Sequence, residues 1–194
     1  MLETWPTKSR RSMNCLFLTR HAGLADTSRT IRKYFYNNPN SFSKTWLMTG
    51  WRIGWTVVPT ELLRDMGKLI EYNTTCAPAF VQHAALHALI NGDAAIERTV
   101  QRLKSARDHL ASGLASIPRV HTAPPAAGAM YSFFKINGVS DSLELCKRLV
   151  VEAGLGLAPG IAFGPEGEGY LRWCFASSHD RLDEGIKRLK AFLG

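Results

Sequence analysis

The sequence has no apolar run close to the about 18 residues that a membrane-spanning helix needs. Its start also has no secretory signal, because "CLFL" is too short an apolar centre for one. No C-x-x-C pair occurs among the four scattered cysteines, Cys15, Cys76, Cys146 and Cys174. Two disulfides are arithmetically possible, but buried reduced thiols are the preferred interpretation. These absences predict a cytoplasmic protein without a membrane partner.

The chain also has fewer acidic than basic residues, and its formal net charge is +8. Residues 1–40 hold seven Lys/Arg and two Asp/Glu, so most of the positive surplus lies there. Breakers such as Pro6, Gly23 and Pro39 predict a loop or a poorly ordered arm in this segment. A basic arm can bind nucleic acid, but this one lacks interleaved aromatic residues and a helical stripe. We therefore expect no nucleic-acid partner.

From residue 41 onward, strand and helix patterns alternate. "GWRIGWTVVP" predicts a strand that ends at Pro59, and the helix that follows has Thr60 as its candidate cap. "PAFVQHAALHALI" predicts a helix that stops at "NGD". The clearest helix comes next, because apolar residues recur at three- and four-residue steps at Ile96, Val100, Leu103, Ala106, Leu110 and Leu114.

The last third of the chain continues this alternation. "AMYSFFKI" and "YLRWCFA" predict strands, and between them lies a helix that opens at Asp141 with Glu144 in a capping-box position and closes at Gly154. A final amphipathic helix follows His179 and Asp180, which are its candidate caps. The order of elements predicts an α/β or α+β arrangement of layers.

A possible metal pair lies on one of these helices. His83 and His87 are four residues apart, a spacing that can bind a metal ion. Because no third ligand is apparent beside them, we expect an ordinary helix surface and no metal site.

The segment of residues 40–55, "NSFSKTWLMTGWRIGW", combines two cations with many aromatic residues and no acidic residue. A lysine such as Lys44, if held in apolar surroundings, loses affinity for its proton and can attack a carbonyl to form a Schiff base. Arg52 carries a planar fork that suits phosphate, and Ser41 and Ser43 add hydroxyl groups. Pyridoxal 5'-phosphate would satisfy all four groups. The alternative is that both cations are surface residues flanking a strand.

The motif S-x-S-K followed by M-T-G-W-R-I-G resembles the lysine motif of the class I/II, fold-type I pyridoxal-phosphate aminotransferases. The resemblance implies that Lys44 is the Schiff-base lysine and the catalytic residue. It also implies that Ser41 and Arg52 hold the cofactor's phosphate.

Three later segments are similar to the same family: "NTTCAPAFVQHAAL", "GAMYSFFKI" and "APGIAFGPEGEGYLRWCFA". In the last of them the family's arginine binds the α-carboxylate of the substrate, which implies this role for Arg172. A structural salt bridge from Arg172 to Glu166 or Glu168 is the alternative. The similarity covers residues 41–194.

The resemblance implies the C-terminal portion of a fold-type I transferase, namely the end of its large domain and its α+β small domain. Residues 1–40 would then be a divergent arm, residues 41–75 a remnant of the large cofactor-binding domain, and residues 76–194 the linking helix and the small domain. The implied substrates are an α-amino acid and a 2-oxo acid, and the implied assembly is a homodimer if the chain is intact.

One part of the family pattern is missing before Lys44. Family members carry an aspartate, which pairs with the pyridine nitrogen, and a tyrosine three residues later, whereas the corresponding positions here are Lys8 and Arg11. We therefore expect a truncated aminotransferase with impaired activity. The alternatives are a non-catalytic fragment and a pyridoxal-phosphate-dependent β-eliminating lyase of the same fold.

Overall fold

A computed structural model of the chain describes residues 15–17, 39–58, 60–125 and 127–194. The chain forms two compact units, and the division between them falls between Ile96 and Glu97. This division concerns compactness alone, so the domain boundaries expected at residues 40 and 75 stay predictions.

The described part of the first unit consists of short strands and helices around a small core. Its sheet is antiparallel, with β3 in the centre and β1 and β2 at its sides. The elements are β1 (Cys15–Phe17), β2 (Pro39–Ser41), α1 (Phe42–Thr45), β3 (Gly54–Val57), a 3₁₀ turn (Thr60–Leu62), α2 (Leu63–Thr74) and α3 (Ala79–Asn91).

The strand β3 is shorter than the sequence pattern predicts. The segment before it forms a turn, in which the Trp51 N–H donates to the Met48 carbonyl at 3.3 Å and Arg52 adopts a left-handed φ of 52°. The Thr60 cap is also wrong, because the chain enters α2 through the 3₁₀ turn and Leu62 precedes the α-helix without a side-chain cap bond. Alternation of small and bulky residues does not distinguish a strand from such a turn.

The second unit contains a four-stranded antiparallel sheet in the order β4–β5–β7–β6. The helix α4 begins in the first unit and continues into the second. The elements are α4 (Asp93–Ala115), β4 (Val120–Thr122), β5 (Tyr131–Ile136), α5 (Ser142–Ala153), β6 (Ala158–Pro159), 3₁₀ turns (Gly160–Phe163 and Pro165–Gly167), β7 (Tyr170–Cys174) and α6 (His179–Leu193). This mixture of helices and sheet confirms the predicted α/β or α+β fold class.

One face of this sheet is packed against the helices. Phe134, Ile136 and Leu171 are fully buried there. The helical residues of the same core include Ala106, Leu110 and Leu114 of α4, Leu149 of α5, and Leu182 and Leu189 of α6. Because side chains alternate between the faces of a strand, the residues between them lie on the opposite face, which we call the open face. It carries Tyr131, Phe133, Lys135, Tyr170 and Arg172.

The predicted ends of α5 are confirmed. The carboxylate of Asp141 accepts a hydrogen bond from the Glu144 N–H at 2.8 Å, and Gly154 closes the helix with a left-handed φ of 61°. The predicted cap of α6 is wrong, because His179 and Asp180 lie inside the helix and Ser178 precedes it without a side-chain cap bond.

The cysteines match the sequence prediction in part. Cys76, Cys146 and Cys174 are free thiols, as expected, but only Cys146 of these three is buried. Burial raises the pKa of its thiol. Within the described ranges, no helix combines the length and apolarity that crossing a membrane requires.

Candidate active site

Backbone pairing in the first unit joins the two ends of the cation-rich segment. Ser41 of β2 lies opposite Gly54 of β3, and the Phe42 N–H donates to the Ile53 carbonyl at 3.2 Å. The chain that follows Ser41 therefore lies beside Arg52, the residue before Ile53. The fold thus brings the segment of Ser41, Ser43 and Lys44 next to the segment of Arg52, as a shared ligand site requires.

The two serines are linked at the start of α1. The Ser41 hydroxyl oxygen accepts a hydrogen bond from the Ser43 N–H at 3.1 Å, and Ser41 occupies the N-cap position. An accepting hydroxyl keeps its own proton. Ser41 can therefore still donate that O–H to an anion.

Lys44 lies on the surface of the first unit. The neighbouring aromatic residues pack on one another instead, with ring centroids 4.8 Å apart for Phe42 and Trp46 and 5.1 Å apart for Phe42 and Trp55. Two residues along a helix rotate a side chain by about 200°, so Lys44 and the buried Phe42 leave α1 on different sides. The condition of apolar surroundings is therefore not met for Lys44 among the described residues.

Arg52 is held in an uncommon backbone conformation. Its φ of 52° lies in the left-handed region, which costs a non-glycine residue on the order of 1 kcal/mol. Its Nη1 donates to the Thr49 carbonyl at 2.8 Å, which fixes one side of the guanidinium. The residue is exposed, so a ligand in solution can approach its guanidinium.

An open cleft of about 590 Å³ adjoins Arg52. This volume lies in the range of small-molecule sites. Its lining is otherwise apolar or small, and comprises Leu47, Gly50, Trp51, Arg52, Pro78, Phe80 and Val81. This cleft was not predicted from the sequence, because its wall joins the turn before β3 with the start of α3.

Arg172 lies on β7 in the second unit and contacts aromatic rings. Its guanidinium carbon is 4.3 Å from the ring centroid of Tyr131 and 4.4 Å from that of Phe163. Contacts of this kind stabilise a cation without using its N–H groups as hydrogen-bond donors. Such an arginine can present its planar fork to a carboxylate.

The alternative salt bridge of Arg172 is not formed among the described residues. The Glu168 carboxylate instead accepts hydrogen bonds from the N–H groups of Ser142 at 2.6 Å and Gly169 at 2.8 Å. These backbone hydrogen bonds hold the pKa of Glu168 below its usual range, with that of Gly169 contributing most. Its negative charge is thus used to join the start of α5 to the start of β7.

The two histidines of α3 have no metal partner in the described part of the chain. Both are exposed, and the Nδ1 of His87 lies 3.2 Å from the amide nitrogen of Asn91. Within that part, no group of three His, Cys, Asp or Glu side chains is placed to hold an ion.

The model of the family "Aminotransferase class I and II" matches residues 38–189, which contain both the lysine segment and Arg172. The chain belongs to this family. Aminotransferases of the family depend on pyridoxal phosphate, and the donor set of the first unit fits that group. It offers an amine for an aldehyde, and a guanidinium with two hydroxyls for a phosphate.

The named relatives act on different amino acids. The chain is 36% identical over 157 residues to an aspartate aminotransferase of Pyrococcus horikoshii and 34% identical over 157 residues to a valine–pyruvate aminotransferase of Mycobacterium tuberculosis. Each match covers 79% of this chain and 40% of the relative. The chain thus spans about two fifths of the length of the curated relatives it matches.

The fold agrees with solved aminotransferase structures. An aromatic aminotransferase from Pyrococcus horikoshii superposes with a TM-score of 0.74 at 34% identity, over 79% of this chain and 42% of that structure. The described architecture is therefore that of a fold-type I aminotransferase over most of this chain.

Proposed function

We propose that this chain holds pyridoxal 5'-phosphate with Lys44, Ser41, Ser43 and Arg52, and takes part in amino-group transfer from an α-amino acid to a 2-oxo acid. The observation that carries the proposal is the pairing of Ser41 with Gly54, which sets the lysine segment beside Arg52. This pairing lies within the residues that match the aminotransferase family.

The phosphate would be held by Arg52 and the serines. Arg52 supplies a permanent positive charge and a fork whose geometry suits phosphate oxygens. Ser41 and Ser43 would donate O–H hydrogen bonds to the same phosphate. The Ser41 oxygen already accepts from the Ser43 N–H, and its own O–H is still available as a donor.

Lys44 would anchor the aldehyde carbon through its Nζ and later move the proton at the substrate Cα. A neutral amine is needed for both tasks, because an ammonium group has no lone pair to offer. When bound, pyridoxal phosphate supplies the electron sink that makes loss of the Cα proton feasible. Arg172 would hold the substrate's α-carboxylate with its guanidinium fork.

We further propose that transfer by this chain alone is slow. Residues 1–43 contain no D-x-x-Y, and the corresponding positions hold Lys8 and Arg11. A carboxylate beside the ring nitrogen keeps that nitrogen protonated, because an opposite charge favours the charged form. With cations at these positions the chain itself would not provide this stabilisation.

The test is a titration of the purified chain with pyridoxal phosphate, followed by visible absorption. We expect a saturable band that Lys44→Ala abolishes and Lys68→Ala, a change of another exposed lysine of the first unit, retains. Equal bands in all three proteins would overturn the proposal. Chromatography of mixtures with an amino acid and a 2-oxo acid then measures transfer, whereas release of ammonia would indicate elimination.

A further inference from the structure

Three aromatic rings in contact, with a fourth joined to them through Arg172, form a row at the open face of the second unit. Phe163 meets Phe133 edge-on, with centroids 6.0 Å apart and an interplanar angle of 88°. Phe133 stacks in parallel on Tyr170 at 4.9 Å and 6°. Tyr131 completes the row through Arg172, whose guanidinium contacts both Tyr131 and Phe163.

The row remains accessible beside Arg172. Phe163 is 50% exposed and Phe133 is 39% exposed. When an apolar group covers a large aromatic surface that water can reach, the free energy of the system falls. The immediate surroundings of the Arg172 fork are therefore apolar rings that still have free surface.

A second cation lies at the other end of the row. The Nζ of Lys135 is 5.8 Å from the ring centroid of Tyr170. In the strand register, Arg172 pairs with Phe133 and Tyr170 pairs with Lys135. These four residues form two cross-strand pairs. Phe133 and Tyr170 stack along one diagonal of the set, and Arg172 and Lys135 occupy the other. The stacked rings consequently lie between the cations.

We propose that Phe133 and Phe163 form the wall that contacts the substrate's side chain, so that this site prefers amino acids with aromatic or large apolar side chains over acidic ones. The inference rests on the proposed role of Arg172 in binding the α-carboxylate. An aromatic side chain next to that carboxylate would cover the exposed rings. A second carboxylate in the same place would lose water against these rings without gaining a partner.

The preference can be measured without cofactor by titrating the full chain with simple carboxylates and following ligand signals by saturation-transfer NMR. We use 3-phenylpropionate as the aromatic probe, butyrate as the small apolar probe and glutarate as the dicarboxylate. Burial of one phenyl group predicts a dissociation constant for 3-phenylpropionate about tenfold below that for butyrate. Glutarate should bind no more tightly than butyrate.

Variants assign the binding to the row. Phe163→Leu keeps an apolar residue but removes the ring, and should weaken 3-phenylpropionate alone. Arg172→Lys should weaken all three probes, since the fork is lost while the charge remains. Tyr72→Leu, a change of a 91% exposed ring in the first unit, is the matched control and should leave all three unchanged.

The outcomes separate this inference from the proposed function. Equal affinities for 3-phenylpropionate and butyrate, both reduced by Arg172→Lys, would overturn the side-chain preference and leave the carboxylate role of Arg172 standing. Tight glutarate binding that Lys135→Ala removes would also overturn the preference. Binding that Arg172→Lys does not change would overturn both the preference and the substrate role of Arg172.

Discussion

The strand that carries Arg172 is positioned by a close approach of α6, and this contact can be tested at one glycine. A Cβ added at Gly185 would lie 2.5 Å from Cζ2 and 2.9 Å from Cη2 of Trp173, the neighbour of Arg172 on β7. Trp173 is 7% exposed, so its indole cannot swing into solvent. Gly185→Ala therefore forces α6 and β7 apart.

The expected change in the free energy of unfolding of Gly185→Ala combines two opposing effects. Alanine is favoured over glycine within a helix by about 0.5–1 kcal/mol. Overpacking of a filled core costs about 1–3 kcal/mol. Gly185→Ala should thus lower the free energy of unfolding by about 1 kcal/mol. Gly67→Ala on α2 is the control. Apart from the adjoining helix backbone, no described atom lies within 4 Å of the added Cβ, so only the gain in helix propensity remains.

Hydrogen exchange followed by mass spectrometry reads each helix separately. We expect exchange in α6 to become about fivefold faster in Gly185→Ala, and exchange in α2 to become slower in Gly67→Ala. If α6 were protected as well as or better than in the unchanged protein, the close packing of α6 on Trp173 would be refuted.

Three further predictions follow from local geometry. Thr75 has φ 61° and ψ −64° in a γ-turn closed by a 2.7 Å hydrogen bond between its neighbours. Thr75→Gly should therefore raise the free energy of unfolding, measured by urea denaturation, by about 1 kcal/mol. Thr74→Gly, within the helix, should lower it. Because the folded pKa of Glu168 is depressed, its contribution to stability is present above its unfolded pKa and is lost as pH falls through the folded value. Denaturation from neutral to acid pH should therefore show a weaker pH dependence in Glu168→Gln than in the control Glu166→Gln. Leu110→Ala, at a fully buried position of α4, should cost about 2–5 kcal/mol in the same assay, and a loss below 1 kcal/mol would contradict the described core.

The helices of the second unit could be predicted well from sequence, because their signals are local. Asp141 and Gly154 mark the two ends of α5 by residue type alone, and the structure places both as expected. The spacing in α4 predicts its buried face at Leu110 and Leu114, but Val100 on the same pattern is 54% exposed. Periodicity identifies a helix and its apolar stripe, but it does not say where the covering elements end.

The sequence indicates candidate residues for the sites, but it does not reveal the environment of each residue. The motif singled out Lys44 and Arg52, whereas the exposure of Lys44 and the left-handed φ of Arg52 depend on how α1 and the following turn fold. The aromatic contacts of Arg172 were missed for another reason. Tyr131 and Phe163 reach Arg172 from a neighbouring strand and from a 3₁₀ turn, so only strand register and tertiary packing bring them together.

We propose that Lys44 is the residue that binds the cofactor, and peptide mapping can test this assignment. The chain is incubated with substoichiometric pyridoxal phosphate, reduced with borohydride to trap any bond to a lysine, digested and examined by mass spectrometry. We expect the peptide containing Lys44 to carry most of the label, and we expect Arg52→Ala to lower this labelling because the phosphate loses its main partner. Labelling spread over the exposed lysines, with no excess at Lys44 and no effect of Arg52→Ala, would contradict it.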